Sequence, residues 1–165
     1  MPDSKRISAV TESEAQTEQI GQHIAQILQP GTVISLCGTL GAGKTRLVKG
    51  IAAGLQINSE LVVSPTFSIV NLYVGEGDLR INHLDVYRVA DSDEFDELGA
   101  DELFESDAIT LIEWGDRFPA CLPENYIEIQ IEVLDDTRRK LVFRLVGNFP
   151  AAFKDRLRET VERPS

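Results

Sequence analysis

The stretch Val33-Ile34-Ser35-Leu36-Cys37-Gly38-Thr39-Leu40-Gly41-Ala42-Gly43-Lys44-Thr45 is an apolar β-type run, a glycine-rich octet and the start of a helical pattern. Gly38 to Thr45 fits G-x-x-x-x-G-K-[ST], the phosphate-binding loop of nucleoside-triphosphate-binding proteins. Glycines at these spacings let the backbone curl until successive N–H groups point inward and form an anion nest. A helix beginning near Lys44 adds the positive end of its dipole and its unpaired N–H groups. Lys44 is then placed for the β- and γ-phosphates, with a share in catalysis, and the Thr45 hydroxyl for Mg²⁺. The expected nucleotide contacts are therefore Gly38, Leu40, Gly41, Ala42, Gly43, Lys44, Thr45 and the adjoining Arg46.

Outward from the loop, residues 32–37 read as a strand buried on both faces, as in a parallel sheet. The following helix runs to about Leu55, with Leu47, Val48, Ile51 and Leu55 on one face. Upstream, Thr11-Glu-Ser-Glu14 has the pattern of a capping box, with Thr11 as cap. Ile20, Ile24, Ile27 and Leu28 follow at helical spacing, and Pro30-Gly31 ends that helix.

Downstream, Ser64-Pro65 sets an extended or turn backbone. Residues 68–74 and 79–86 form β-type runs around Gly75-Glu-Gly-Asp78, which predicts a hairpin. Residues 91–98 form a short acidic helix that continues past Gly99, and residues 108–113 form a second buried strand ending in Glu113. Residues 126–134 alternate Ile127, Ile129, Ile131 and Val133 against Glu128, Gln130 and Glu132. A turn at residues 135–137 leads into residues 138–146 as a second hairpin, and residues 150–162 close the chain as a helix. The expected fold is α/β: one P-loop NTPase-type domain over residues 1–165, with a mixed sheet flanked by helices.

Composition narrows the partners. At 165 residues, 42% hydrophobic and 26% charged, the chain suits an ordinary globular protein. No apolar run approaches the roughly 20 residues of a membrane span, and nothing behind Met1 reads as a signal peptide. Cys37 and Cys121 have neither C-x-x-C nor metal-ligand spacing, so a reducing cytoplasmic setting is the simplest reading. A net charge of −11 lacks the electrostatic footprint of a chain that grips DNA or RNA by itself.

A phosphate loop needs a second acid for Mg²⁺, usually at the end of a buried strand, and Glu113 meets that rule. The other strand carboxylate is Asp85, in His83-Leu-Asp-Val-Tyr-Arg88, with two roles open: holding Mg²⁺ through water or orienting the attacking water. Thr66, in Ser64-Pro-Thr66, is a candidate γ-phosphate sensor by analogy with switch loops. Arg88, Arg117 and Arg138 are candidate phosphate cations, against the ordinary reading of surface arginines. His83 reads as a structural residue rather than a metal ligand, and Trp114 either stacks on a ligand or packs in the core.

In order along the chain, Leu40-Gly-Ala-Gly-Lys-Thr45, Ser64-Pro-Thr-Phe67, His83-Leu-Asp-Val-Tyr-Arg88 and Ile112-Glu-Trp114 resemble the bacterial TsaE (YjeE) family. That family is the ATPase component of tRNA threonylcarbamoyladenosine biosynthesis, and the resemblance covers roughly residues 11–146. It implies a small ATPase working with the TsaB–TsaD pair on adenosine 37 of tRNAs that read ANN codons. By resemblance Thr45 and Glu113 bind Mg²⁺, Asp85 acts in hydrolysis, and Glu14, Thr17, Asp116 and Arg138 lie near the nucleotide. The chain departs from the family pattern at Thr39, usually Asp, and at Gly115, often Pro; neither change removes a phosphate or metal ligand.

Three rivals share the loop, one of them a non-hydrolysing, ATP-binding interaction module. A regulatory GTPase would use Asp96-Glu-Leu-Gly99 as D-x-x-G, but that stretch does not follow a buried strand and no N-K-x-D motif occurs. A small-molecule kinase would need an anion-accepting lid, where residues 91–97 are acidic instead.

Overall fold

A computed structural model describes residues 6–65 and 69–163 of the chain; Thr66 lies outside the described residues. Seven strands occur among them: β1 (Arg6–Thr11), β2 (Val33–Cys37), β3 (Val70–Val74), β4 (Arg80–Asp85), β5 (Ile109–Glu113), β6 (Tyr126–Val133) and β7 (Arg139–Val146). They form one mixed sheet in the order β1-β7-β6-β2-β5-β4-β3. The centre is parallel, with β2 between β5 and β6 and β4 beside β5, while β3, β7 and β1 add antiparallel edges. All five residues of β2 and of β5 are buried, as continuous apolar runs in a parallel core require.

Five helices flank the sheet among the described residues: α1 (Glu14–Ala25), α2 (Lys44–Gly54), α3 (Ser92–Glu97), α4 (Ala100–Glu105) and α5 (Ala151–Val161). α1, α2 and α5 cover one apolar layer, in which Ile24, Leu47, Ile51 and Leu157 meet Ile34, Leu36, Leu111 and Phe143 of the sheet. Phe95 and Ala100 of α3 and α4 pack on a second layer with Val33, Leu84 and Ile112. α1 and α2 cross closely because Gly21 and Gly50 carry no side chain. A Cβ on Gly50 would overlap the Glu18 carbonyl, and one on Gly21 would lie 2.8 Å from the Leu47 carbonyl oxygen.

The structure corrects the N-terminal reading. Thr11 ends β1, a strand absent from the sequence-based expectation, and the α1 cap is Ser13, whose hydroxyl accepts from Gln16 N–H at 3.1 Å. Ser, two residues from Thr11, satisfies the same capping chemistry. α1 also stops at Ala25, and Ile27 and Leu28 reach the core from tightened turns, their N–H groups bonding the carbonyls of Ile24 and Ala25. The acidic helix is two helices, α3 and α4, separated by Gly99 at φ +73°. The hairpin β3–β4, the strand β5, the hairpin β6–β7 and the closing helix occur where the sequence predicts them, within one or two residues at their ends. No helix among the described residues is long and apolar enough to cross a membrane.

Candidate active site

The parallel register assembles the site. Asp85 of β4 lies opposite Glu113 of β5, and Leu36 of β2 lies on the other side of Glu113. Both acids therefore sit at the carboxyl ends of neighbouring strands, the edge where open α/β sheets bind ligands. β2 delivers the glycine loop to the same edge, and α2 leaves it at Lys44. Gly43, the residue before α2, has φ +109°, a left-handed conformation open to glycine without strain.

The side chains converge around a cleft of about 400 Å³ lined by Leu40 to Arg46, with Glu14, Ser64, Asp85, Tyr87, Arg88, Glu113 and Trp114. Lys44 Nζ donates to the carbonyls of Gly38 and Thr39, at 2.8 and 2.9 Å, and lies over the Trp114 ring. A trans peptide points its N–H opposite to its C=O, so these bonds turn the N–H groups of Thr39 and Leu40 away from the lysine. Burial pulls the Lys44 ammonium below the usual lysine range, against the raising effect of Glu113, Asp85 and Asp116.

Thr45 Oγ1 donates to Glu113 Oε1 at 3.0 Å. This hydroxyl and carboxylate are hard oxygen donors at a helix start, a donor set that fits Mg²⁺. Among the described residues no three His, Cys, Asp or Glu side chains gather into a metal site. Asp85 Oδ1 accepts from Tyr87 N–H at 2.9 Å, and Oδ2 accepts from Ser64 Oγ at 3.2 Å, which ties the Ser64-Pro65 segment to the strand end. Arg117 donates to the carbonyls of Val86 and Tyr87 and so fixes the chain behind Asp85. His83 is fully buried and bonds Glu113 Oε2 through Nε2 at 2.6 Å.

A second cleft, of about 450 Å³, adjoins the loop between Ser13, Glu14, Thr17, Arg46 and the β6–β7 turn. Arg46 pairs with Glu14 at 3.1 Å and with Glu18 at 2.8 Å. Thr17 is buried and bonds the Thr11 hydroxyl at 2.8 Å. Arg138 pairs with Asp135 at 2.6 Å, a bond that, with the Arg138 and Thr137 N–H groups, holds that carboxyl well below the usual range. Its neighbour Arg139 reaches the loop instead, donating from Nε to the Ala42 carbonyl at 3.0 Å. Asp116, in the turn Gly115–Arg117, is exposed and lines neither cleft. Sequence reasoning passed over Arg139, because nothing local marks a contact spanning 97 residues.

A sequence-family model described as threonylcarbamoyl adenosine biosynthesis protein TsaE matches residues 11–141. The chain belongs to the TsaE family. Among TsaE relatives, the tRNA threonylcarbamoyladenosine biosynthesis protein TsaE of Bacillus subtilis is 39% identical over 144 residues, 87% of this chain and 89% of its own. The protein of the same name from Treponema pallidum is 39% identical over 132 residues, 80% of this chain and 96% of its own. The crystal structure of Bacillus subtilis YdiB superposes with a TM-score of 0.75 at 32% identity, covering 93% of this chain and 94% of that one. The TsaE-family fold here is thus the α/β P-loop NTPase type expected from the glycine octet. Of the two family departures, Gly115 packs against Ser35, whose Oγ a Cβ at position 115 would overlap.

Proposed function

We propose that this TsaE-family protein is a Mg²⁺-dependent ATPase. It serves formation of the threonylcarbamoyl group on adenosine 37 of tRNAs reading ANN codons, together with the TsaB–TsaD pair. The observation that carries the ATPase reading is the register of Asp85 against Glu113, directly before the Lys44-Thr45 start of α2. The names of the relatives carry the tRNA-modification reading.

The loop N–H groups and Lys44 bind the triphosphate, and Thr45 with Glu113 holds Mg²⁺, which when bound neutralises phosphate charge. Asp85 stands 28 residues before Glu113 in sequence and beside it in space, free to orient water through the carboxylate that Ser64 and Tyr87 hold. Residues 91–107 contribute nine acids and no Lys or Arg, and the chain carries a net charge of −11. This charge supports a protein that engages tRNA through its partners rather than gripping RNA or DNA itself, because two polyanions repel. Residues 1–165 act as one domain in this reading. Phosphoryl-transfer enzymes without an arginine finger in cis are slow alone and accelerate when a partner completes the site.

ATP turnover measured with and without the purified TsaB–TsaD pair tests this reading. Slow hydrolysis alone and nucleotide-dependent binding to the pair are expected. Full-rate hydrolysis alone, with no complex in ATP, would overturn it. The small-molecule kinase reading is disfavoured by the acids of α3 and α4, and labelled phosphate appearing on a metabolite rather than as free phosphate would restore it.

A further inference from the structure

We propose that His83 and Tyr73 are positioning residues that set the orientation of Glu113 for the divalent cation; the inference rests on the reading of Glu113 as a cation ligand. His83, Glu113 and Tyr73 are all buried, at 0%, 3% and 8% exposure, so no bulk water can replace a lost partner. The bonds form one chain from the cleft into the sheet. Glu113 Oε1 accepts from Thr45, Oε2 accepts from His83 Nε2, and His83 Nδ1 lies 3.2 Å from the Tyr73 hydroxyl. The rings of Tyr73 and His83 pack with centroids 5.9 Å apart.

Proton counting fixes the Glu113 end of the chain. A carboxylate only accepts, so Nε2 carries the proton toward Glu113. Nδ1 faces the Tyr73 hydroxyl, which also lies within donating distance of the Val63 carbonyl, at 3.3 Å. The Asn71 amide lies within reach of both the Tyr73 oxygen, at 3.3 Å, and the Val63 carbonyl, at 3.4 Å, and satisfies the groups behind the tyrosine. Every side-chain polar atom in the chain thus has a partner. His83 holds Oε2 from the sheet side while the Thr45 hydroxyl lies 3.0 and 3.3 Å from Oε1 and Oε2, so the carboxylate is held from two directions. Such partners behind a metal ligand typically contribute about 10- to 100-fold in metal affinity. The Val63 carbonyl end of the chain adjoins Ser64, which bonds Asp85, so one polar network reaches both carboxylates.

The test measures Mn²⁺ binding to the ADP complex by electron paramagnetic resonance, together with ADP affinity without metal. His83→Leu should weaken Mn²⁺ binding about tenfold or more and leave metal-free ADP affinity unchanged. His83→Gln, which restores a donor toward Glu113, should recover most of the loss. In a Glu113→Ala background His83→Leu should cost nothing further. Tyr73→Phe should weaken Mn²⁺ about fivefold, the equivalent of one neutral hydrogen bond, and carries the test if the leucine variant does not fold. Unchanged Mn²⁺ affinity in the folded His83 and Tyr73 variants, or equal loss in the glutamine and leucine variants, would overturn the proposal. Glu113→Ala with full Mn²⁺ affinity would instead overturn the ligand assignment beneath it.

Discussion

The Lys44 ammonium lies 3.9 Å from the centroid of the Trp114 ring, while it donates to the two carbonyls that open the phosphate loop. Trp114 itself occupies a left-handed conformation, φ +68°, directly after Glu113, and its ring packs on Tyr87 at 4.8 Å between centroids. Lys44, Glu113 and the indole are therefore mechanically linked. Trp114 is also the single tryptophan of the chain, so tryptophan emission reports on this one position.

Nucleotide binding should draw Lys44 from the indole to the phosphates and change tryptophan emission in proportion to occupancy. Lys44→Ala should weaken ATP binding by about tenfold or more, since each 1.4 kcal/mol is tenfold, and should shift the emission of the nucleotide-free protein. A fluorescence titration checks both; an emission unaffected by either ATP or the substitution would show that the contact is not made in solution.

Glu113→Ala should reduce Mg²⁺-dependent nucleotide binding, because it removes half of the oxygen pair at Thr45. Asp85→Ala should lower turnover far more than affinity, since its proposed task belongs to the reacting state. Parallel binding and single-turnover measurements separate the two. Equal affinity losses, with no additional turnover defect in Asp85→Ala, would contradict the division of roles.

Arg139 holds the Ala42 carbonyl at 3.0 Å, and a trans peptide then aims the Gly43 N–H to the opposite side. Arg139→Ala should therefore weaken ADP and ATP alike, by about tenfold for a bond from a charged donor. Arg138→Ala, measured beside it, loses the Asp135 pair at the turn and should leave both affinities nearly unchanged. A loss restricted to ATP would mean that the arginine serves the γ-phosphate rather than the loop.

Gly50→Ala should destabilise the fold by about 1–3 kcal/mol, the usual cost of overpacking. The added methyl meets the backbone of α1 at Glu18, which cannot rotate away as a side chain would. Urea unfolding gives the value; a neutral or stabilising result would mean that α1 shifts freely on α2.

Burial pushes the Cys37 thiol from 9.0 up to about 12. A raised thiol contributes stability that is whole below pH 9 and is lost as pH rises from there through about 12. In a disulfide-exchange assay at pH 8, Cys121 should react with the native protein and Cys37 only on unfolding, because the thiolate is the nucleophile. Cys37→Ala should flatten the alkaline loss of stability. Two thiols reacting at one rate in the native state would contradict the burial of Cys37.

What the sequence determined by itself was local. The octet at residues 38–45 sets its own backbone, and the apolar runs before Gly38 and Glu113 become buried parallel strands because nothing but a covered sheet satisfies them. The hairpins around residues 75–78 and 135–137 follow from turn chemistry within a few residues. The alternation of buried Ile7 with exposed neighbours in β1 was too short to announce an edge strand, which forms only because β7 offers it a partner. Tertiary structure alone decided which distant groups meet. The β4–β5 register sets Asp85 beside Glu113, the α2 start brings Thr45 to the same carboxylate, and His83 becomes its buried partner rather than an ordinary core histidine. Arg139, the first residue of β7, reaches the loop, whereas Arg138, in the turn before it, is held by Asp135. Pairing and packing distances of this kind depend on the whole sheet, and no window of the chain encodes them.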